Sequence, residues 1–318
     1  MRVVQLRYIS IIWLSIFLAS VAFAGSSSDV GTSTASFLKL GAGARVIGMG
    51  GAFVAVADDA NATYWNPAGM TQIYSPEIAA THNQWFEDIR SEYVSYVHPL
   101  PDKMGVAGAD FLYMSVPSIE KRDSSGDKAG TAKVNSMSYA VLYAYPVSPR
   151  FSAGIKLKGI FQEFDDEKGN GMAADCGLLF VQPVLEREKV SFGVNVQNLG
   201  PKLKTGSTDE DLPLNIKGGI AFISVDKGLI IAVDIDQPVD NKMKFHSGVE
   251  YWFRKLVALR VGYEDVGDIG AGSGFTFGCG FKGYESEEFS NVLIGFDYAL
   301  ASFGDFGYTH RFSLAVKF

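Results

Sequence analysis

The residues that could do chemistry in this chain are scattered rather than gathered. Its four histidines, His82, His98, His246 and His310, stand far apart, and no Gly-x-Ser-x-Gly elbow presents a nucleophile beside any of them. No His-Glu-x-x-His or closely paired cysteine motif marks a metal site. Gly41-Ala42-Gly43 and Gly48-Met49-Gly50-Gly51 could suggest a phosphate cradle, but no Gly-Lys-Ser/Thr follows and no strand-helix-strand unit surrounds them. Gly48, Gly50 and Gly51 therefore read as structural glycines of a cramped segment. Asp58-Asp59 could hold a cation, and fits better as the start of a helix at its positive end. Asp165 to Gly171 reads as a solvated hairpin turn, with weak calcium binding the other use of such residues. The expectation is no enzyme, no cofactor and no metal.

The remaining polar chemistry lies in charges that alternate with apolar residues. In the last segment Tyr308, His310, Phe312, Leu314, Val316 and Phe318 share one parity, and Thr309, Arg311, Ser313, Ala315 and Lys317 share the other. A period of two is that of a β-strand. The same alternation recurs around Phe275–Lys282, Val257–Glu264, Leu229–Asp236 and Phe151–Lys158. In a soluble sandwich the apolar face would be core; in a membrane barrel it meets lipid and the polar face lines the lumen. Parity alone does not separate the two.

Composition and the N-terminus favour the barrel. Glycine numbers 35 and aromatic residues make up 13% of the chain, while charged residues are only 20%. The formal net charge of -7 makes nucleic acid an improbable partner. Arg2 and Arg7, the apolar run Tyr8 to Val21 and Ala22-Phe23-Ala24 form a secretory signal over residues 1–24. Beyond it the longest apolar stretch, Val46 to Ala57, falls short of the roughly 20 residues of a spanning helix. The other structure that satisfies every backbone group in lipid is a closed β-barrel.

Fourteen strands can be laid out, at about 77–85, 91–98, 105–114, 135–145, 151–163, 171–181, 190–198, 215–222, 229–236, 244–253, 257–265, 274–283, 290–299 and 307–318. With the chain entering from the periplasm, the long connections 115–134 and 199–214 fall outside. The short ones at Pro146–Arg150, Ser224–Gly228 and Arg254–Lys255 fall inside. Most outer connections are short, so any projecting funnel should be small. Residues 25–75 stand apart from the strands and are expected to fill the lumen as a plug, with residues 76–318 forming an all-β, antiparallel transmembrane barrel. By parity Lys156, Lys158, Asp175, Lys217, Asp234, Asp236, Lys244, Glu250, Arg260, Glu264, Lys282 and Arg311 face inward. Their mixed signs suggest salt bridges that hold a plug rather than an ion filter. Asn66-Pro67 reads as a turn, or as a latch between plug and wall.

The segment Gly43-Ala44-Arg45, Gly48 to Ala60 and Tyr64-Trp65-Asn66-Pro67-Ala68-Gly69 resembles the opening of the PorV/PorQ family, within the group similar to FadL, the long-chain fatty-acid transporter of the outer membrane. Gln197-Asn198-Leu199-Gly200-Pro201 and Gly307 to Leu314 resemble that family too. The resemblance implies a 14-stranded barrel plugged by its N-terminus, with Asn66, Pro67, Ala68 and Gly69 in the plug. Two functions follow as expectations. One is a passive outer-membrane channel for small hydrophobic or amphipathic solutes, gated by the plug. The other is a PorV-like accessory role in type IX protein secretion, in which the barrel binds exported cargo. Partners would be outer-membrane lipid and the outer-membrane assembly machinery, which would read the terminal aromatic Phe318. Cys176 and Cys279, on distant strands, are expected to remain free thiols.

Overall fold

The computed structural model describes residues 31–206, 208–266, 270, 272–283 and 292–318; the expected signal at 1–24 lies outside the described residues. Fourteen antiparallel strands close into a barrel. They are β1 (Glu77–Gln84), β2 (Arg90–Pro99), β3 (Val106–Arg122), β4 (Lys128–Ser148), β5 (Phe151–Phe164), β6 (Glu167–Leu185), β7 (Glu188–Leu199), β10 (Asn215–Ser224), β11 (Leu229–Pro238), β12 (Lys244–Phe253), β13 (Val257–Glu264), β14 (Phe275–Lys282), β15 (Leu293–Ser302) and β16 (Tyr308–Lys317). Each pairs with its neighbours in sequence, β7 pairs with β10, and β1 with β16 seals the ring. Two short strands, β8 (Leu203–Thr205) and β9 (Thr208–Glu210), form a hairpin on the flank of β6. No helix among the described residues is long and apolar enough to cross a membrane.

The alternation of residue types decides which face is which. On β16, Tyr308, Phe312 and Leu314 are exposed, whereas Thr309, Arg311 and Ser313 are buried. On β12, Phe245, Val249 and Tyr251 are exposed and His246 and Glu250 are buried. Apolar side chains point out and charges point in, the reverse of a soluble sandwich and the arrangement a lipid-facing wall requires. Strands of 8–10 residues such as β1, β2 and β10 to β16 tilted by ~45° are roughly 20 Å tall, close to an outer-membrane apolar band. Cys176 and Cys279 are both free.

The end of the barrel that carries Glu77 and Lys317 is termed proximal, the other end distal. The strand order matches the sequence expectation, with one correction. Residues 115–134 are not a long outer loop. β3 and β4 continue pairing as far as Arg122 and Lys128, so the turn shrinks to residues 123–127. These extensions are rich in Ser, Thr, Lys, Glu and Arg, and carry no regular apolar alternation that would mark them in the sequence. The β8–β9 hairpin likewise lies within the expected loop 199–214. The wall formed by β3 to β6 therefore stands taller at the distal end than the rest of the rim.

Residues 33–73 occupy the inside of the barrel. They form short turns of helix at Ser36–Lys39, Ala44–Gly48, Ala62–Trp65 and Pro67–Gln72. Val46, Ile47, Met49, Phe53, Val54 and Val56 are almost entirely buried. Removing side chains such as Met49 and Phe53 from water contributes on the order of 2 kcal/mol each. The segment approaches the wall closely enough to require glycine. Gly50 has φ +66°, and a Cβ there would lie 2.5 Å from the backbone nitrogen and oxygen of Tyr263. From the wall side, Gly248 and Gly262 make room for the backbone of Met49.

Gly248→Leu is expected to leave the heat-modifiable barrel intact but unseat the inner segment. Limited proteolysis should then cut within residues 33–73 of the variant and spare them in the parent chain; equal resistance in the variant would contradict this packing.

Candidate functional site

The inner segment and the wall meet through buried charge. Arg45, in the short helix Ala44–Gly48, donates to Glu250 from both Nε (2.9 Å) and Nη2 (2.8 Å). Its Nη1 reaches Asp58 at 2.6 Å and Asp59 at 2.7 Å. Glu250 in turn accepts from Arg260 Nε at 2.6 Å, and Arg260 pairs with Asp297 at 2.7 Å. Burial opposes the charge on Arg45, yet Asp58, Glu250 and Asp59 outweigh it and hold its pKa well above the ordinary value. Burial pushes the Asp59 carboxyl up, and Arg45 overrides that and lowers it. The cation that Asp58-Asp59 hold is thus a guanidinium of their own chain. Asp59 also accepts from the backbone N–H of Asn61 at 2.9 Å, just before the turn Ala62–Trp65.

Other inward charges hold the same segment. Asp234 accepts the backbone N–H groups of Phe53 (2.7 Å) and Val54 (2.8 Å). Lys156 donates to Thr63 O at 3.0 Å while pairing with Asp110 at 2.6 Å. Lys158 pairs with Asp175 at 2.8 Å. Lys217 pairs with Asp236 and lies 4.7 Å above the Trp65 ring. Arg311 donates to Leu40 O at 2.9 Å. Glu264 lines a cavity at the distal end.

Asn66 ties turn and wall together. Its Oδ1 accepts from Ala68 N at 3.1 Å, and its Nδ2 donates to Val54 O (2.8 Å) and to Leu178 O on β6 (3.1 Å). Pro67 follows at the start of the turn Pro67–Gln72, whose Ala68 and Gly69 are buried. Gly154 and Gly177 on the wall leave the space that Asn66 and Pro67 fill. Gly48 lies against Gly278 and Gly51 beside His246. Phe318 is half exposed, and its N–H reaches Pro76 O at 3.0 Å.

Several functional residues lie beyond the set expected from the sequence. Arg45 lies in a segment without a period, and its partner Glu250 is 205 positions away. Asp110, Asp297, Asn195 and Gln197 are inward residues of ordinary strands, and the last two donate to Trp65 O and Tyr64 O. Asp240, in the β11–β12 connection, accepts from Ser33 and from Lys39 (2.5 Å) at the distal end. Parity would have found Asp110 and Asp297; for Asp240 the sequence carries no signal.

Two cavities flank the segment. A distal one of about 250 Å³ touches Leu38, Gly41, Ile47, Trp65 and Asp236. A proximal one of about 370 Å³ touches Arg45, Asp58, Glu77, Trp252 and Lys317. Among the described residues no cluster of potential metal ligands occurs.

A closed 14-stranded antiparallel barrel with its own N-terminal segment inside has the fold of FadL-like barrels. The chain belongs to the uncharacterised protein family UPF0164, whose model matches residues 17–210. Among curated proteins none matches it in sequence. In fold it is similar to the Pseudomonas putida toluene transporter TodX, with TM-score 0.59 and 12% identity over 87% of this chain and 97% of that one. The Ralstonia pickettii toluene transporter TbuX gives TM-score 0.56 and 12% identity over 87% and 97%. A Pseudomonas aeruginosa FadL homologue gives TM-score 0.50 and 11% identity over 85% and 96%.

Glu250→Ala leaves the guanidinium groups of Arg45 and Arg260 short of a buried partner. Loss of about 3–5 kcal/mol of folding free energy is expected in denaturant titrations of the barrel. Because the Asp59 pKa is lowered in the folded state, its contribution is complete above the ordinary carboxylate value of about 4 and is lost as pH falls below it. Stability should therefore drop on acidification through that range, by less in Asp59→Asn than in the parent chain.

Proposed function

We propose that this protein is a bacterial outer-membrane channel for small hydrophobic or amphipathic solutes, exported on the signal of residues 1–24 and closed at rest by residues 25–75 acting as a plug. One observation carries the reading: the inner segment stands between two cavities, one open to each end, and is bonded to the wall on every side. Such an arrangement serves passage with a barrier across it. The toluene transporters of like fold support a hydrophobic solute, and the charges lining both cavities favour solutes with a polar group. The apolar outer belt would contact membrane lipid.

The PorV-like reading rests on the motif from Gly43 to Gly69. Nearly all of those residues are buried against the barrel wall, where they serve packing rather than capture of an exported protein. The motif thus supports a shared plug more than a shared cargo. A source genome without the type IX translocon would remove the secretion reading.

Deleting residues 31–73 is expected to raise single-channel conductance several-fold in planar bilayers while the barrel stays heat-modifiable. Cells lacking the gene should take up labelled monoaromatic solutes more slowly than cells that carry it. Unchanged conductance would refute the plug, and unchanged uptake would refute the solute class.

A further inference from the structure

The charges around the proximal cavity do not cancel evenly. Its carboxylates are all engaged: Asp58, Asp59 and Glu250 with Arg45, Asp297 with Arg260, and Glu77 with Lys317 at 3.0 Å. Two lining cations, Lys282 and Lys255, have no carboxylate partner among the described residues. Lys282 is instead positioned by Trp252, with Nζ 4.1 Å from the ring centroid. A cation stacked on an indole keeps its outward N–H groups available for an anion. The same cavity is also lined by the apolar side chains of Ile223, Ile230 and Leu293. At about 370 Å³ the space is the size of a small-molecule site.

We propose that this cavity is a binding site for an amphipathic anion, whose carboxylate or phosphate group lies between Lys282 and Lys255 and whose apolar part lies against Ile223, Ile230 and Leu293. The anion could be a solute leaving the barrel or the headgroup of a membrane lipid at the proximal rim. As an exit station the site rests on the channel reading; as an anion site it does not. Neutral hydrocarbons would gain nothing from Lys282.

Calorimetric titration of the full chain in phosphatidylcholine nanodiscs, with octyl phosphate, octanoate and octanol as probes, tests this. Both anions should bind at least tenfold more tightly than octanol. Lys282→Gln should weaken anion binding tenfold or more without changing octanol, and Lys282→Arg should restore it. Heat-modifiability on gels confirms that each variant is folded. Equal affinity for octanol and the anions, or unaltered anion binding by Lys282→Gln, would overturn the site. Native mass spectrometry after reconstitution with phosphatidylglycerol separates the sources. Lipid retained by the parent chain and lost in Lys282→Gln assigns a headgroup, whereas octanoate uptake sensitive to Lys282→Gln assigns a solute. Anion binding without any solute uptake would defeat the channel reading and leave the site standing. Uptake of toluene without anion binding would do the reverse.

Discussion

The placement of the inner segment depends on a single guanidinium largely removed from water. Arg45 is buried to about nine-tenths, yet it is bonded to three carboxylates, and one of them, Glu250, is shared with Arg260. Taking such ions out of water costs several kcal/mol each, and their mutual attraction offsets this only when geometry is good and every donor is used. Here the geometry is good and all three nitrogens of Arg45 are bonded to carboxylates. The cluster therefore fixes position more than it adds stability, since an Arg45 shifted by one residue would find no acceptor. The rest of the inner segment is placed by consequence. Asp234 then meets Phe53 and Val54, Asn66 meets Leu178, and Gly50 meets the backbone of Tyr263.

Much of the wall was legible in the sequence, because lipid outside and charge inside impose a period of two on every strand. Lys156, Lys158, Asp234, Asp236, Glu250, Arg260 and Arg311 are inward and buried as parity requires. Parity fails in the upper parts of β3 and β4, which are rich in Ser, Thr, Lys, Glu and Arg: residues 115–134 carry no regular apolar alternation even though most of them pair. It also fails inside the barrel. The segment from Ser33 to Ile73 is built from turns and short helices whose conformations are set by the wall. Its glycines could be read as structural, but which strand each would face could not. Arg45 belongs to this class: its chemistry is visible in the sequence and its partners are not.

The two ends of the inner segment are held differently. Around Arg45 the partners are charged and mostly buried, so moving that part would leave ions without their partners. At the distal end, residues 33–41 hang on Asp240, on the Asp211 backbone, on Gln162 and on the carbonyl that Leu40 offers to Arg311. Lys39 is about one-third exposed, so its pairing with Asp240 is partly screened and correspondingly weaker. Phe37 and Leu38 add buried apolar surface, but far less than the run from Val46 to Ala57. Gly41 and Gly43, both at positive φ, lie between this stretch and the Arg45 cluster. The segment is thus held near Arg45 by ion pairs that are largely buried, and over residues 33–41 by fewer and more exposed contacts.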